Sequence, residues 1–289
     1  MKAFVTGAHG FIGQAVAERL RAQGAEVAGV DFVADSKREV VAGNVAEAGP
    51  WQAAVAGADV VVHTAAIVSN AYDLDESWRV NVLGTRNVLD AAVAGGVGRF
   101  VHISSVRAFS DLGFPDGVDE RHPVRPDGNP YVDTKIASEQ VVLQAHAAGE
   151  LECSIVRPGD VYGPGSRPWT VLPLEIIKSN RFLLPAMGRG IFSPVYVDDL
   201  VTGLTLAAER PEAAGQVLTI GGSRGVPAKE FFGHYFRMLG KRGPLCLPTP
   251  LAVAAARAAG AAERLGGRRT EINEASMPYL GRPRGYSVQ

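Results

Sequence analysis

Six continuous apolar runs mark the first part of the chain: "AFVT" (3–6), "EVAGVD" (26–31), "VVAGN" (40–44), "DVVVHTA" (59–65), "RFVHISS" (99–105) and "CSIVRPG" (153–159). They are rich in valine and isoleucine and do not alternate apolar with polar residues, as expected of strands covered on both faces. Between them lie "QAVAERLRAQG", "WQAAVAGA" and "DESWRVNVLGTRNVLDAAVAGG", which carry helical periodicity and mostly stop at glycine. Strand and helix in regular alternation predict an α/β fold built on a doubly wound parallel sheet. After Gly163 the pattern loosens into a loop "PGSRPW", a short helix "VLPLEIIKSN", a strand "IFSPVYV" (191–197), a helix from Asp198, a strand "QVLTIGG" and a helix "AKEFFGHYFRML".

Composition narrows the class. The chain has 289 residues and a formal net charge of −1. Its lysines and arginines are spread out, which argues against a nucleic-acid or anionic-membrane partner. Cys153 and Cys246 sit in apolar segments without metal-ligand spacing, so reduced thiols in a cytoplasmic protein are expected. No His, Asp or Glu cluster has the spacing of a metal site, and no metal is predicted. The first strand begins at once, so no signal peptide is expected. The alanine-rich "LAVAAARAAGAAERLGG" (251–267) is broken by Arg257, Glu263 and Arg264 before it could span a bilayer. It is expected to pack on the body, or to lie at a dimer or lid surface of a soluble protein.

The first strand runs into Gly7, Gly10 and Gly13, with Phe11 and Ile12 opening a helix between the last two. The first glycine permits a tight turn, the second lets backbone N–H groups approach a pyrophosphate, and the third lets the helix pack on the strand. Asp31 ends the second strand, 18 residues after Gly13. A carboxylate there accepts hydrogen bonds from the adenosine ribose and repels a 2′-phosphate, which favours NAD over NADP. Lys37 and Arg38, a little downstream, are the residues that could meet a 2′-phosphate. Residues 1–165 are therefore read as an NAD-binding Rossmann domain. Residues 166–289 are read as mainly a smaller substrate-binding lobe, with 191–222 candidates to return to the sheet.

"NPYVDTKIASEQVV" (129–142) puts Tyr131 and Lys135 four apart on one face of a helix start. A phenol is a weak base near neutral pH, but a neighbouring ammonium and an oxidised nicotinamide would favour its anion. The pair could then exchange a proton with an alcohol or carbonyl while hydride moves. Ser104 and Ser105 end the fifth strand, at the sheet edge where ligands bind, and a hydroxyl there could donate to a developing alkoxide.

With these motifs the sequence resembles the extended short-chain dehydrogenase/reductase family, also called the NAD-dependent epimerase/dehydratase family. The resemblance rests on Thr6-Gly7-x-x-Gly10-x-x-Gly13, "DVVVHTAA", "NVLGTRNVLDAA", the Ser-Ser strand end, Tyr131-x-x-x-Lys135, "VRPGDVYGPG" and "VYVDDLV", in the family's order and spacing. It implies that Tyr131 is the catalytic base or acid, that Lys135 also binds the nicotinamide ribose, and that Ser105 contacts substrate. It places Ala65, Ala66 and Pro158 against the cofactor and makes Asn81 the family's helix asparagine. Asn44, beside Val45, stands where the family usually has an aspartate touching the adenine amine. A homodimer through the helices carrying Asn81 and Tyr131 is implied as well.

The second half bears on the substrate. Nucleotide-sugar members usually carry an arginine before the strand read here as "SPVYVDD", and that place falls on Phe192. Where they often have an asparagine after "VRPG", this chain has Asp160, which would repel a diphosphate. Phe182, Leu183, Leu184, Met187, Ile191 and Phe192 are offered to a pocket or to the lobe core. These features resemble the 3β-hydroxysteroid dehydrogenase-like and dihydroflavonol reductase-like branches, implying hydride transfer to or from a bulky apolar alcohol or ketone. Arg167, Arg181 and Arg189 keep a nucleotide-sugar epimerase or dehydratase open as the alternative. A dinucleotide sensor without turnover is disfavoured because tyrosine and lysine are both present. His63 and His102, inside apolar strands, are expected in the core or at the cofactor edge. The end at "RGYSVQ" would shorten the family's usual C-terminus.

Overall fold

The computed structural model describes residues 1–111, 113–222, 224–265 and 276–287. The six apolar runs form parallel strands β1 (Lys2–Thr6), β2 (Glu26–Asp31), β3 (Val40–Ala42), β4 (Val60–His63), β5 (Arg99–Ile103) and β6 (Glu152–Pro158). A seventh, β7 (Val217–Ile220), joins the edge of β6 with Val217 opposite Ile155 and Ile220 opposite Pro158. The order across the sheet is β3-β2-β1-β4-β5-β6-β7, so the chain reverses direction of winding between β1 and β4. Ligands bind at such a switch point, outside the carboxyl ends of the strands.

The absence of alternation has a direct cause. Phe4, Val61 and Phe100 pack against Trp51, α3 (Gly84–Ala94) and α4 (Pro130–Ala147) on one face. Val5, Val62 and Val101 pack against α1 (Phe11–Ala22) and α6 (Val197–Glu209) on the other. Both pleat faces are covered, so both must be apolar. Before α3 come α2 (Leu74–Trp78) and a π-helical turn, Arg79–Leu83.

One expectation needs correction, and another holds in part. "WQAAVAGA" is a 3₁₀ segment, Pro50–Val55, confined between Gly49 and the left-handed Gly57. It presses Trp51 so close to Gly43 that a Cβ at Gly43 would lie 2.6 Å from the tryptophan Cβ. Of residues 191–222, only β7 enters the sheet. Ile191–Phe192 pairs antiparallel with Val226–Pro227, and Pro194–Tyr196 pairs parallel with Asp160–Tyr162.

Beyond the sheet, α5 (Leu172–Lys178) and α7 (Ala228–Met238) enclose a separate aromatic core around Ile177, Leu184, Phe192 and Phe232. α8 (Thr249–Leu265) and α9 (Ser276–Gly281) follow, and Gly266 and Gly267 of the alanine-rich run lie outside the described residues. The tail after α9 then crosses back: the Ile191 N–H donates to the Arg282 carbonyl (2.7 Å), and the Ser287 N–H to that of Val118 (2.8 Å). Among the described residues no helix is long and apolar enough to cross a membrane.

Candidate active site

One cavity of about 870 Å³ runs from the glycine loop at the switch point to the aromatic region beyond the sheet. At the loop end Gly7 has φ +65°, and the Gly10 N–H donates to its carbonyl at 2.9 Å. A Cβ on Gly13 would stand 2.1 Å from that same carbonyl oxygen, so helix and strand approach as they do because position 13 has no side chain. Gly10 is the N-cap of α1 and has no side chain to occupy the first-turn N–H groups, which are left for an anion. Asp31 lines the cavity beside them, its carboxylate accepting the His9 N–H (2.9 Å) and the Phe32 N–H (2.7 Å). Lone pairs remain on both oxygens. This cradle fits a dinucleotide. Lys37 and Arg38 lie outside the cavity lining, in keeping with NAD, and Arg38 faces Asp35 at 3.9 Å.

Ala65, Ala66, Val45 and Pro158 line the same cavity. Asn44 does not: its side-chain oxygen accepts the Ala46 N–H at 3.1 Å, and its neighbours Gly43 and Val45 face the cavity instead. Asn81 is buried and stands one layer back. It sits in the π turn, a distortion that re-aims side chains. Its amide clamps the loop after β4, accepting from Ile67 N–H (2.8 Å) and donating to Ile67 C=O (3.1 Å) and to Thr134 (3.0 Å). His63 belongs to the same network, bonded to Thr6 at 2.7 Å and Thr85 at 3.0 Å, and burial lowers its pKa to about 3.

Tyr131, Lys135 and Ser105 converge as their spacing predicts. Asn129 caps α4 by accepting the Tyr131 N–H at 3.0 Å, and Pro130 fixes the first turn. That places the Tyr131 ring against the end of β5, where Ser105 starts a 3₁₀ turn. Burial raises the phenol above its ordinary value, while the Ser105 hydroxyl and the Arg107 charge pull it down. Lys135 is buried, its ammonium donating to the Ile103 carbonyl at 2.7 Å. Burial lowers it to about 8, and Glu139, one turn on, acts against that fall. Glu139 in turn takes the Ser104 hydroxyl (2.5 Å) and a two-pronged bond from Arg157 (2.8 and 2.6 Å), tying α4 to β5 and β6 beneath the site.

The far end of the cavity is mostly apolar, with Trp169, Leu172, Ile176, Leu183 and Met277 in its wall beside Arg167 and Arg181. α8 contributes Ala255, Ala256 and Ala259, whose small side chains leave the space open. Phe182 also faces the cavity, but Phe192 does not: it is 2% exposed in the aromatic core, 4.9 Å from Trp169 and 4.4 Å from Phe231. The sequence places Phe192 in the pocket, whereas packing puts it behind the wall. Leu184 shares that core, and Met187 is exposed. Asp160 does reach the cavity, yet its charge is enclosed by the Tyr279 hydroxyl, Arg282 (3.4 Å) and the Ser193 N–H (2.9 Å). Burial raises its pKa, and Arg282 opposes that rise.

Sequence reasoning missed Phe32, Arg107, Trp169 and Tyr279. Phe32 is 74% exposed beside Asp31 and lines the cavity. Nothing in the local sequence singles out Tyr279, which reaches Asp160 from 119 residues away.

Residues 3–221 match the model of the NAD dependent epimerase/dehydratase family. Over 219 residues the chain is 33% identical to a 4-hydroxy-2-methyl-3-oxo-4-farnesyl-3,4-dihydroquinoline-1-oxide ketoreductase of Stigmatella aurantiaca, covering 73% of this chain and 65% of that one. It is 32% identical over 262 residues to a 3 beta-hydroxysteroid dehydrogenase/Delta 5-->4-isomerase of Mycobacterium tuberculosis, covering 84% and 70%. The match thus spans about two thirds of the length of these curated relatives. A solved structure of MoeE5 in complex with UDP-glucuronic acid and NAD superposes with TM-score 0.74 at 30% identity, over 86% of this chain and 85% of that one. With its glycine cradle, its Ser105, Tyr131 and Lys135 and this match over most of its length, the chain belongs to the NAD-dependent epimerase/dehydratase family of extended short-chain dehydrogenases/reductases, and is an NAD-dependent enzyme.

Proposed function

We propose that the protein interconverts a secondary alcohol and a ketone on a bulky, apolar small molecule, with NAD as the hydride carrier. One observation carries this reading: past Ser105 and Tyr131 the cavity wall is mostly aliphatic and aromatic, with Arg167 and Arg181 its charged exceptions, and the carboxylate on that side, Asp160, is closed off by Tyr279 and Arg282. The names of two relatives point the same way, one a ketoreductase of a farnesylated ring system and one a hydroxysteroid dehydrogenase.

In this reading the bound nicotinamide takes up or gives back the hydride. Tyr131 receives the hydroxyl proton during oxidation and returns it during reduction. Ser105 donates to the reacting oxygen as charge builds on it. Lys135 holds the ribose, and Asp31 with the α1 N-terminus anchors the adenosine and pyrophosphate. Residues 1–165 bind NAD, and the remainder, apart from α6 and β7 against the sheet, shapes the substrate side. Leu74, Trp78 and Leu83, exposed on α2 and the following π turn, are offered to a second copy in a homodimer, which light scattering would test. The thiol of Cys153, pushed up to about 12 by burial first, stays reduced and inert, as suits a cytoplasmic enzyme.

A nucleotide-sugar epimerase or dehydratase is the second reading. Arg167 and Arg181 in the cavity wall favour it, as does the UDP-glucuronic acid held by one structural neighbour. The two are separated by incubating the protein with NAD and, in turn, apolar secondary alcohols (sterols included) and nucleotide sugars. NADH accumulating only with the apolar alcohols supports the first reading. Epimerised or dehydrated sugar without net NADH replaces it with the second.

A further inference from the structure

Arg107 follows the strand-end serines by two residues, and its charge favours the Tyr131 anion. The side chain is 12% exposed and lines the cavity. Its guanidinium carbon lies 5.0 Å from the ring centre of Tyr131 and 4.9 Å from that of Tyr279, so the cation is held between two tyrosine rings. Asp111 grips it through Nε at 3.0 and 3.1 Å and also through Nη2, and the side-chain oxygen of Asn70 approaches at 3.3 and 3.4 Å.

We propose that Arg107 is a positioning residue that stabilises the Tyr131 phenolate and steadies its ring for proton transfer. A cation over a neutral phenol gains the modest attraction of a ring face. When the phenol loses its proton, the cation 5.0 Å from the ring centre attracts the new negative charge, and the burial of Tyr131 weakens screening by solvent. Lys135 has its own anchor at the Ile103 carbonyl and the opposing charge of Glu139, so Arg107 is the cation lying over the ring. The other groups facing Tyr131 are accounted for. The Ser105 hydroxyl acts with Arg107, Asp111 and Asp160 act against it, Arg282 neutralises Asp160, and Tyr279 covers the other side of Arg107. Arg107 is bound on both sides and cannot swing away with substrate, which is what a fixed electrostatic partner needs.

This inference rests on Tyr131 being the proton-transfer group, and the test keeps the two apart. Tyrosinate absorbance of the NAD-loaded protein is titrated in parallel with that of its Tyr131→Phe variant, so that the difference reports Tyr131. The expected result is a midpoint higher by about one pH unit in Arg107→Met, a tenfold change in proton affinity, with Arg107→Lys close to wild type. Arg107→Gln, which also removes the charge, should raise the midpoint likewise and decides the matter if Arg107→Met fails to fold. An unmoved midpoint in Arg107→Met, or an equal shift in Arg107→Lys, overturns the proposal and leaves Arg107 a packing residue. A Tyr131→Phe protein that keeps its turnover overturns the underlying reading instead, whatever the titration gives.

Discussion

The two ends of the cavity are built in opposite ways. The nucleotide end is mostly backbone: three glycines, the first turn of α1 and one carboxylate, all within residues 7–31. Its geometry follows from missing side chains, as the 2.1 Å approach of a hypothetical Cβ on Gly13 to the Gly7 carbonyl illustrates. The substrate end is built of side chains from α5, α8, α9, the π-helical turn Arg167–Val171 before α5, and residues 181–183. An end made of local backbone accepts the same ligand in many relatives. An end made of distant side chains can change with each of them, which explains how relatives so different in substrate share one fold.

The sharpest way to break this comparison is at Phe192. If it supports the substrate end from behind, Phe192→Ala should cost about 3–5 kcal/mol in stability, measured by urea unfolding, while NAD binds the folded fraction unchanged. A variant of wild-type stability would mean that the aromatic core is not what shapes that end. At the other pole, Gly13→Ala should cost about 1–3 kcal/mol through overpacking and weaken NAD at least about tenfold, by fluorescence titration. Unchanged NAD affinity would remove the claim that close helix–strand packing makes the cradle.

Smaller effects sharpen the picture. Ala255→Leu, which fills the α8 wall, should raise KM for the bulkiest apolar substrates about tenfold and leave the NAD constant alone; a rise in both would show that the ends are not separable. The polar network beneath them should appear in acid. Burial lowers the folded pKa of His63 to about 3 and lowers that of His102 likewise, against 6.5 for the unfolded side chain. Below pH 6.5 the unfolded chain therefore binds protons that the folded one refuses. Stability should fall with acidity by about 1.4 kcal/mol per pH unit for each histidine. His102→Gln should flatten the slope of thermal unfolding between pH 6.5 and 4.5; an unchanged slope would place the acid sensitivity elsewhere.

Much of the nucleotide end was legible because its chemistry lies within one βαβ unit. Spacing reveals Tyr131 and Lys135 as well, since residues four apart on a helix share a face whatever surrounds them. Other residues were misread because type and register do not report depth. Phe192 stands at the sequence position of a pocket residue, but neighbouring aromatic rings draw it into the core. Asp160 reads as a bare negative charge, and only folding brings Tyr279 and Arg282 onto it. Neither the bond of Asn44 to the Ala46 N–H nor those of Asn81 to Ile67 and Thr134 can be read from residue type.

By itself the sequence determined the parallel sheet, the glycine cradle, the preference for NAD and the placing of Tyr131 and Lys135 on one helix face. Each depends on interactions between residues near one another in the chain, or on a burial pattern that periodicity records. Only the tertiary structure decided which side chains face the substrate, how Asp160 is neutralised and where the cation of Arg107 lies. Those arrangements depend on contacts across tens to more than a hundred residues, where packing and charge pairing act between segments that carry no mark of one another.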